Sequence, residues 1–224
     1  MSNGLLDALP RAPARRLIAG SSEVVLPAGL VLVEADAVVA HAYFPLTALI
    51  AMTAAAAPHE SFAIALVGNE GMLGLTLLLG TQVAPLRSCV LGTGTALRMP
   101  AAQFRQALRD IPSLSRIVRR YCEAVLREIA QSAACGRFHQ VEARLARLLL
   151  LACDRSAGKQ LQMTHALLAQ LLGVRRSAVS IAAAGFQRDE LIRYRRGAIT
   201  IVSRAGLEHE ACGCYTASGR NPAS

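Results

Sequence analysis

Several residue types and patterns are scarce in this sequence, and each scarcity excludes a class of protein. Among 224 residues there is no Trp, and charged residues make up only 17%. A hydrophobic content of 53% nevertheless excludes a disordered chain. The longest nearly uncharged stretch, residues 43–58, is shorter than the roughly 20 residues that a membrane-spanning helix needs. The first residues also lack the apolar core and cleavage site of a secretion signal, so we expect a cytoplasmic protein with no membrane segment.

Cysteine pairs with the usual metal-binding spacing are missing as well. None of the six Cys residues forms a Cys-x-x-Cys pair with another. Without an oxidising compartment, we expect all six to be reduced thiols. The closest grouping is His209, Cys212 and Cys214 near the C-terminus. This grouping is typical either of a metal or redox site or of small half-buried residues in a terminal helix; we favour the second and predict no metal site.

The motifs of common enzyme classes are also missing. The sequence has no phosphate-binding Gly loop, no HExxH and no GxSxG, and we find no nucleophile with a matching base. The glycines of residues 67–80 are typical of turns between strands and do not match a dinucleotide fingerprint. We therefore expect that the protein is not an enzyme.

Lysine is almost absent, and arginine takes its place. All but one of the 24 basic residues are Arg, and the formal net charge is +9. From Arg137 onward 13 basic residues stand against 6 acidic ones, so +7 of the charge lies in the last two fifths of the chain. The planar fork of Arg suits phosphate oxygens and guanine edges better than the point charge of Lys. This distribution favours a polyanionic partner for the C-terminal region.

The first half of the chain has the pattern of a β-rich domain. Residues 22–100 contain short runs of β-branched and aliphatic residues that are separated by Pro and Gly turns, which predicts a sandwich or barrel. Residues 100–110 then predict a short helix, with Phe104 and Leu108 one turn apart.

A long helix is predicted next, over residues 113–136, with Ser113 as its N-cap and Gly136 as its stop. Its apolar residues step by four, three and four positions, which is typical of the seam between two packed helices. These residues are Val118, Cys122, Val125 and Ile129. We interpret the helix as a dimer seam and a bridge between domains; a helix that lies on its own sheet is the alternative.

Residues 164–184, "THALLAQLLGVRRSAVSIAAA", fit a helix-turn-helix frame that begins at His165. Ala169 falls where the two helices cross most closely, and Gly173 falls at the turn, where a positive φ is needed. The five positions that must be apolar are occupied by Leu168, Leu172, Val174, Val179 and Ala182. Two short β runs follow, and they predict a hairpin with Arg195 and Arg196 at its tip.

These motifs together resemble the CRP/FNR superfamily of bacterial transcription regulators. The strongest matches are "QMTHALLAQLLGVRRSAVS", "LIRYRRGAITI", "VGNEGMLGL" and "RAGLEHEACGCY". The resemblance covers nearly the whole chain and implies an α+β fold in three parts. They are an N-terminal effector-sensing β-roll (a cyclic-nucleotide-binding-like jelly roll) with flanking short helices at 1–111, a long dimerisation helix at 112–137, and a C-terminal winged helix-turn-helix at 138–224.

The resemblance also implies a function. We expect a homodimer that binds double-stranded DNA at specific sequences, under the control of a small-molecule effector or other signal at the β-roll. RNA polymerase is a further candidate partner. The alternative is a small-molecule or redox sensor that acts through protein contacts and carries a vestigial DNA-binding domain.

Residue roles follow from the resemblance at matching positions. Thr164 and His165 would contact a phosphate strand, and Arg195 and Arg196 would reach phosphates from the wing. Arg176 matches the base-reading Arg of the family. The remaining expected contacts come from the same recognition helix: Arg175, Ser177 and Ser180. Ser177 stands where many relatives have Glu, and Ile181 where some have a second Arg, so the half-site sequence is not predicted.

The effector is not identified by the sequence. In relatives that bind cyclic AMP, a Glu in a Gly-Glu-Leu turn contacts the ribose, but here Met72 occupies that position. Arg87 and Ser88 match the phosphate-binding pair of those relatives and are candidates for an anionic effector, with an ordinary surface Arg as the equal alternative. We therefore expect no cyclic AMP. An iron–sulfur cluster is also not expected, because the first Cys is Cys89 and no Cys cluster precedes the β-roll.

Overall fold

The computed structural model describes residues 2–57, 60–156 and 160–218. It confirms the predicted α+β fold, with a β-rich N-terminal part, long helices and a C-terminal helix-turn-helix. The described chain forms two compact units: residues 2–52 and 67–126 make up the first, and residues 53–66 and 127–218 make up the second. The last six residues of the predicted winged domain, 219–224, lie outside the described residues.

The first half of the described chain contains two short helices followed by seven strands. The two helices are α1 (Gly4–Asp7) and α2 (Arg11–Ala19). The strands are β1 (Ser22–Leu26), β2 (Val31–Val33), β3 (His41–Pro45), β4 (Leu49–Ala57), β5 (Glu60–Val67), β6 (Arg87–Gly92) and β7 (Gly94–Pro100). They form two sheets, of order β1-β7-β3 and β2-β6-β4-β5. This is the two-sheet arrangement that the short apolar runs predict.

The core of the first unit is built from alternating residues of these strands. β7 pairs antiparallel with both β1 and β3, so that Arg98 lies opposite Ser22 and Pro100 lies opposite His41. Side chains of successive strand residues point to opposite faces, and those on the inner faces are apolar. The buried clusters are Leu26, Ala48, Val90 and Ala96 in one place, and Ile50, Val67 and Leu73 in another.

Two helices follow the strands. The first, α3 (Ala101–Asp110), confirms the predicted short helix and buries Phe104 completely. The second, α4 (Pro112–Phe138), runs two residues past the predicted stop. Gly136 was therefore the wrong end: its φ is not positive, and the His139 N–H still bonds to the Cys135 carbonyl oxygen at 3.1 Å.

The four residues of the predicted seam on α4 differ in burial. Val118 and Val125 are only 0% and 5% exposed, because the chain itself buries them. Cys122 and Ile129 are half-buried, and Leu126 is 62% exposed. The predicted seam is thus wrong at its two Val positions. A period of 3.5 residues is the same for a helix face that packs on its own domain and for one that packs on a partner.

The second unit is mainly helical. After the end of α4 it contains α5 (Val141–Arg155), β8 (Gln160–Gln162), α6 (His165–Leu172), α7 (Arg176–Arg188), β9 (Ile192–Arg195), β10 (Ala198–Ile201), α8 (Arg204–Glu210) and α9 (Cys214–Ser218). The three strands form a sheet of order β8-β10-β9. Helix α5 is buried on nearly all sides at Leu145–Ala152. Within the described residues no single helix has the length and hydropathy of a membrane span; α6 and α7 pass that test only as a pair bent by 112°.

A buried ion pair joins three segments of the second unit. The Arg155 guanidinium donates to both carboxylate oxygens of Glu128, at 2.8 Å each, and to the Leu66 carbonyl oxygen at 2.6 Å. The Leu66 N–H in turn donates to Glu128 at 3.3 Å. Both charged residues are only 8% exposed. The pair therefore links the end of β5 with α4 and α5 through groups that have little access to water.

Candidate nucleic-acid interface

The predicted helix-turn-helix is present and packs as its apolar pattern requires. Helices α6 and α7 are inclined by 112°, within the range of this motif. Four of the five predicted apolar positions and Ala169 are buried, and Val174 is half-buried. At the turn Gly173 has φ 63° and ψ 41°. Its N–H bonds to the Gln170 carbonyl oxygen and that of Val174 to the Ala169 carbonyl oxygen, which is the pattern of a Schellman ending.

Replacing Gly173 with Ala is expected to destabilise the second unit. A left-handed conformation costs a non-Gly residue about 1–2 kcal/mol, and the new Cβ would also lie 3.2 Å from Phe62 Cβ. Gly185, in the middle of α7, is the matched control, because its Cβ would meet nothing closer than the end of Arg188 at 3.8 Å. Gly185→Ala should stabilise by about 0.5–1 kcal/mol. Urea unfolding followed by circular dichroism measures both, and shifts of the same sign would contradict the assignment of Gly173 to the turn.

The first turn of α6 is held by side chains from three elements. Thr164 is its N-cap, and its Oγ1 accepts from the Leu167 N–H at 3.1 Å. The His165 ring stacks on Tyr194 of β9 with ring centres 4.3 Å apart, and its Nδ1 lies 3.0 Å from Ser180 Oγ on α7. The start of α6 is thereby fixed against both α7 and the first strand of the C-terminal hairpin.

The protonation of His165 follows from these contacts. The Ser180 hydroxyl donates to the Arg176 carbonyl oxygen at 3.1 Å, so the His165 Nδ1–H must be the donor to Ser180. Burial lowers the pKa of His165 below its usual range, and the positive charge of Arg176 lowers it further. A neutral ring with its proton on Nδ1 agrees with the donation to Ser180 and with the lowered pKa. Both hydrogen bonds of the Ser180 hydroxyl are then made within the protein.

The exposed residues at the start of α7 are basic. Arg175 is the N-cap of the helix and makes no side-chain capping bond, and Arg175, Arg176 and Ser177 are all exposed. The first N–H groups of a helix carry partial positive charge and attract phosphate. One turn further on Ile181 is 69% exposed, which leaves an apolar side chain on the same helix.

The predicted hairpin is formed by β9 and β10, and its tip is a two-residue turn. Arg195 pairs with Ala198, and the two residues between them, Arg196 and Gly197, have φ of 50° and 80°. Two positive φ values define the type I′ turn that matches the twist of a hairpin. Arg195 and Arg196 are both exposed. A Cβ on Gly197 would lie 3.5 Å from Thr164 Cγ2, so the tip is next to the start of α6.

In the first unit the candidate effector residues do not share an open site. Met72 is 1% exposed and therefore belongs to the core. Arg87 lies at the start of β6 and forms an exposed ion pair with Glu34, at 3.1 Å. Its neighbour Ser88 is buried at 1% exposure.

Two features of the second unit were not found from the sequence. One is Tyr194, whose ring stacks on His165; only the alternation of β9 could have indicated it. The other is a group that we call the Cys–His cluster: Cys135, His139, Cys212 and Cys214, whose ligand atoms all lie within 4.8 Å of one another. The grouping seen in the sequence consists of His209, Cys212 and Cys214. It shares the last two residues with the cluster but lacks Cys135 and His139. The four-residue spacing of Cys135 and His139 at the end of α4 was the available signal.

Comparisons with known proteins agree with this geometry. A family model described as a Crp-like helix-turn-helix domain matches residues 143–210. Among solved structures, the c-di-GMP responsive global regulator CLP of Xanthomonas campestris has a TM-score of 0.68 at 15% identity, over 86% of this chain and 99% of that one. FixK2 of Bradyrhizobium japonicum also has a TM-score of 0.68, at 12% identity, over 86% and 98%. The catabolite activator protein of Thermus thermophilus has a TM-score of 0.51 at 18% identity, over 95% and 100%. No curated protein matches the chain in sequence.

The comparisons thus cover both the helix-turn-helix and the fold. Residues 143–210 match a Crp-like helix-turn-helix domain, and 86% of the chain shares the fold of CLP and of FixK2. The helix-turn-helix domain that the sequence resemblance predicted is therefore matched at residues 143–210, in a chain whose fold is that of the neighbouring structures.

Proposed function

We propose that the protein binds double-stranded DNA in the cytoplasm as a homodimer and at specific sequences, with α7 in the major groove. The observation that carries this is the convergence of exposed basic groups at one place in the second unit. Arg175 and Arg176 begin α7, Thr164 begins α6, and the wing tip with Arg196 lies beside Thr164. Two such surfaces in a dimer would enter successive major grooves about one helical turn apart.

The proposed contacts divide by type. Arg176 reads a base edge, where its fork can donate twice to guanine O6 and N7. Arg175, Ser177, Arg195 and Arg196 neutralise or bind the phosphate backbone, together with the exposed N-cap Thr164. Nδ1 of His165 and the hydroxyl group of Ser180 are engaged with each other. We therefore assign these two to positioning α7 against α6 rather than to base contact.

The dimer seam is proposed on the exposed face of α4. Cys122, Leu126 and Ile129 are spaced by four and three residues, so they lie on one face of this helix. Leu126 is the most exposed of the three, at 62%. The seam thus keeps Cys122 and Ile129 of the sequence prediction and has Leu126 where Val118 and Val125 were expected.

Control by an effector is proposed for the first unit. The three parts keep the roles of the sequence prediction: sensing at 1–111, dimerisation at 112–137 and DNA binding from 138 onward. Arg87 is the candidate contact for an anion, which would have to displace the Glu34 carboxylate. Ser88 would need to leave its buried position. Cyclic AMP is not the proposed effector, because the ribose-binding carboxylate is replaced by the buried Met72.

Binding to DNA is expected to depend steeply on salt. Selection from random duplex DNA would first supply a bound sequence, and titration at different salt concentrations would then give the slope. Six or more phosphates neutralised by two subunits would cost about 10³-fold or more in affinity between roughly 50 and 200 mM salt. The complex should contain two chains per selected site. A flat salt dependence with no sequence preference would instead favour the sensor that acts through protein contacts.

A further inference from the structure

Three thiols and one imidazole meet in the second unit, apart from the residues assigned to DNA. They are the members of the Cys–His cluster, and their ligand atoms lie within 4.8 Å of one another. Cys135 and Cys214 are buried, with exposures of 2% and 4%. Neither the family comparison nor the proposed DNA contacts assigns a role to this cluster.

The local structure explains why four ligands can converge. Cys135 lies in the last turn of α4 and His139 just beyond it, four residues apart and thus on one side of the helix. Cys212 lies between α8 and α9, Cys214 is the first residue of α9, and only Gly213 separates the two. The chain turns there, where the Tyr215 N–H bonds to the Cys212 carbonyl oxygen at 2.9 Å.

The distances fit a tetrahedral metal centre. With bonds of about 2.3 Å to sulfur and about 2.0 Å to nitrogen, a tetrahedral zinc site has sulfur–sulfur edges of about 3.8 Å and sulfur–nitrogen edges of about 3.5 Å. Cys135 Sγ and Cys212 Sγ are 3.5 Å apart, and Cys214 Sγ lies 3.5 Å from His139 Nδ1. The Cys₃His set is one of the usual structural zinc sets.

The surroundings supply donors and positive charge to the sulfurs. Gln131 Nε2 donates to Cys214 Sγ at 2.8 Å. Near Cys135 the buried guanidinium of Arg147 contributes positive charge. Zinc with three thiolates and one neutral imidazole carries a net charge of about −1. Second-shell donors and a nearby cation are the groups that stabilise such a centre.

We propose that the Cys–His cluster binds one Zn²⁺ ion as a structural site. Four zinc–ligand bonds form, three to thiolates and one to the His139 ring nitrogen, and the three displaced thiol protons pass to the solvent. No electron is transferred. With four protein ligands the site has no open position for a reacting water, so its role is to fasten residues 212–214 to the end of α4.

Metal analysis of the full chain tests the proposal. Protein purified under reducing conditions without an affinity tag should contain about one zinc per chain by mass spectrometry of the metal. Replacement by Co²⁺ should give the thiolate charge-transfer and visible bands of a tetrahedral site. Removal of the zinc by a chelator should lower the midpoint of thermal unfolding of the parent chain.

Matched variants distinguish coordination from packing. Cys212→Ser and His139→Gln should lower the zinc affinity at least about tenfold, while His139→Cys, which supplies another ligand, should retain the metal. His209→Gln is the control, because His209 is close in sequence but outside the cluster, and its zinc content should not change. Circular dichroism establishes that each variant is folded.

Three results would overturn the proposal. One is a folded parent chain with free thiols that takes up no stoichiometric zinc. Another is a metal content that His209→Gln lowers and Cys212→Ser does not. The third is a Cys135–Cys212 disulfide without metal in protein kept under reducing conditions. None of these measurements involves DNA, so the outcome is independent of the proposed DNA binding.

Discussion

Replacing Arg155 with Ala is expected to lower the free energy of unfolding of the second unit by about 3–5 kcal/mol. The substitution leaves the Glu128 carboxylate without its bidentate partner, at a position that is only 8% exposed. It also removes the donor to the Leu66 carbonyl oxygen. Urea unfolding followed by circular dichroism measures the change.

The matched control for Arg155→Ala is Arg188→Ala, which removes the same charge at an exposed position. Arg188 pairs with Asp189 at 3.3 Å, with the two side chains 78% and 56% exposed. Exposed pairs contribute about 0–1 kcal/mol, so Arg188→Ala should change stability little. Changing both Glu128 and Arg155 to Met should cost less than either single change, because no unpaired charge remains buried. An effect of Arg155→Ala no larger than that of Arg188→Ala would contradict the role of the buried pair.

Replacing Arg176 with Ala is expected to weaken binding to a selected DNA site by about 5- to 150-fold. This range corresponds to the roughly 1–3 kcal/mol that a good bidentate contact with a base contributes. Preference at one base pair of each half-site should disappear at the same time. Fluorescence anisotropy with the selected site and with single-base variants of it measures both effects.

Two other arginines separate base contact from charge alone. Arg188→Ala removes the same charge at the far end of α7, away from the end that enters the groove, and should change affinity little. Arg196→Ala, at the wing tip, should weaken binding to all sequences and reduce the salt slope by about one unit for each phosphate that the variant no longer binds. If Arg176→Ala behaved like Arg196→Ala, then Arg176 would be a phosphate contact and another residue would read the base.

The helix-turn-helix was predictable because its constraints are local. The steep packing of two short helices requires apolar residues at fixed spacing, a small residue at the crossing and a positive φ at the turn. Leu168, Ala169, Gly173 and Val179 satisfy these needs within a dozen residues, and the structure buries the three with side chains. The hairpin of β9 and β10 was likewise predictable, because Arg196 and Gly197 lie between two short β runs.

Features that depend on distant segments were missed or misassigned. Val118 and Val125 are buried within the chain itself, and only the exposure of Leu126 shows which face of α4 is open. Gly136 predicts a helix stop, but α4 continues to Phe138, because tertiary packing can override the low helix propensity of Gly. The sequence predicts that His165 and Ser180 contact DNA; it does not predict that His165 Nδ1 lies 3.0 Å from Ser180 Oγ.

The sequence by itself determined the α+β fold class, the helix-turn-helix and the concentration of arginine in the C-terminal region. Each depends on composition, on periodicity or on motifs of a few residues, which do not require knowledge of long-range contacts. Only the tertiary structure decided which residues meet across the chain. Cys135 and Cys212 are separated by 77 positions and Arg155 and Leu66 by 89. Spacing along the chain carries no information about such pairs, because folding of the intervening residues alone brings them together.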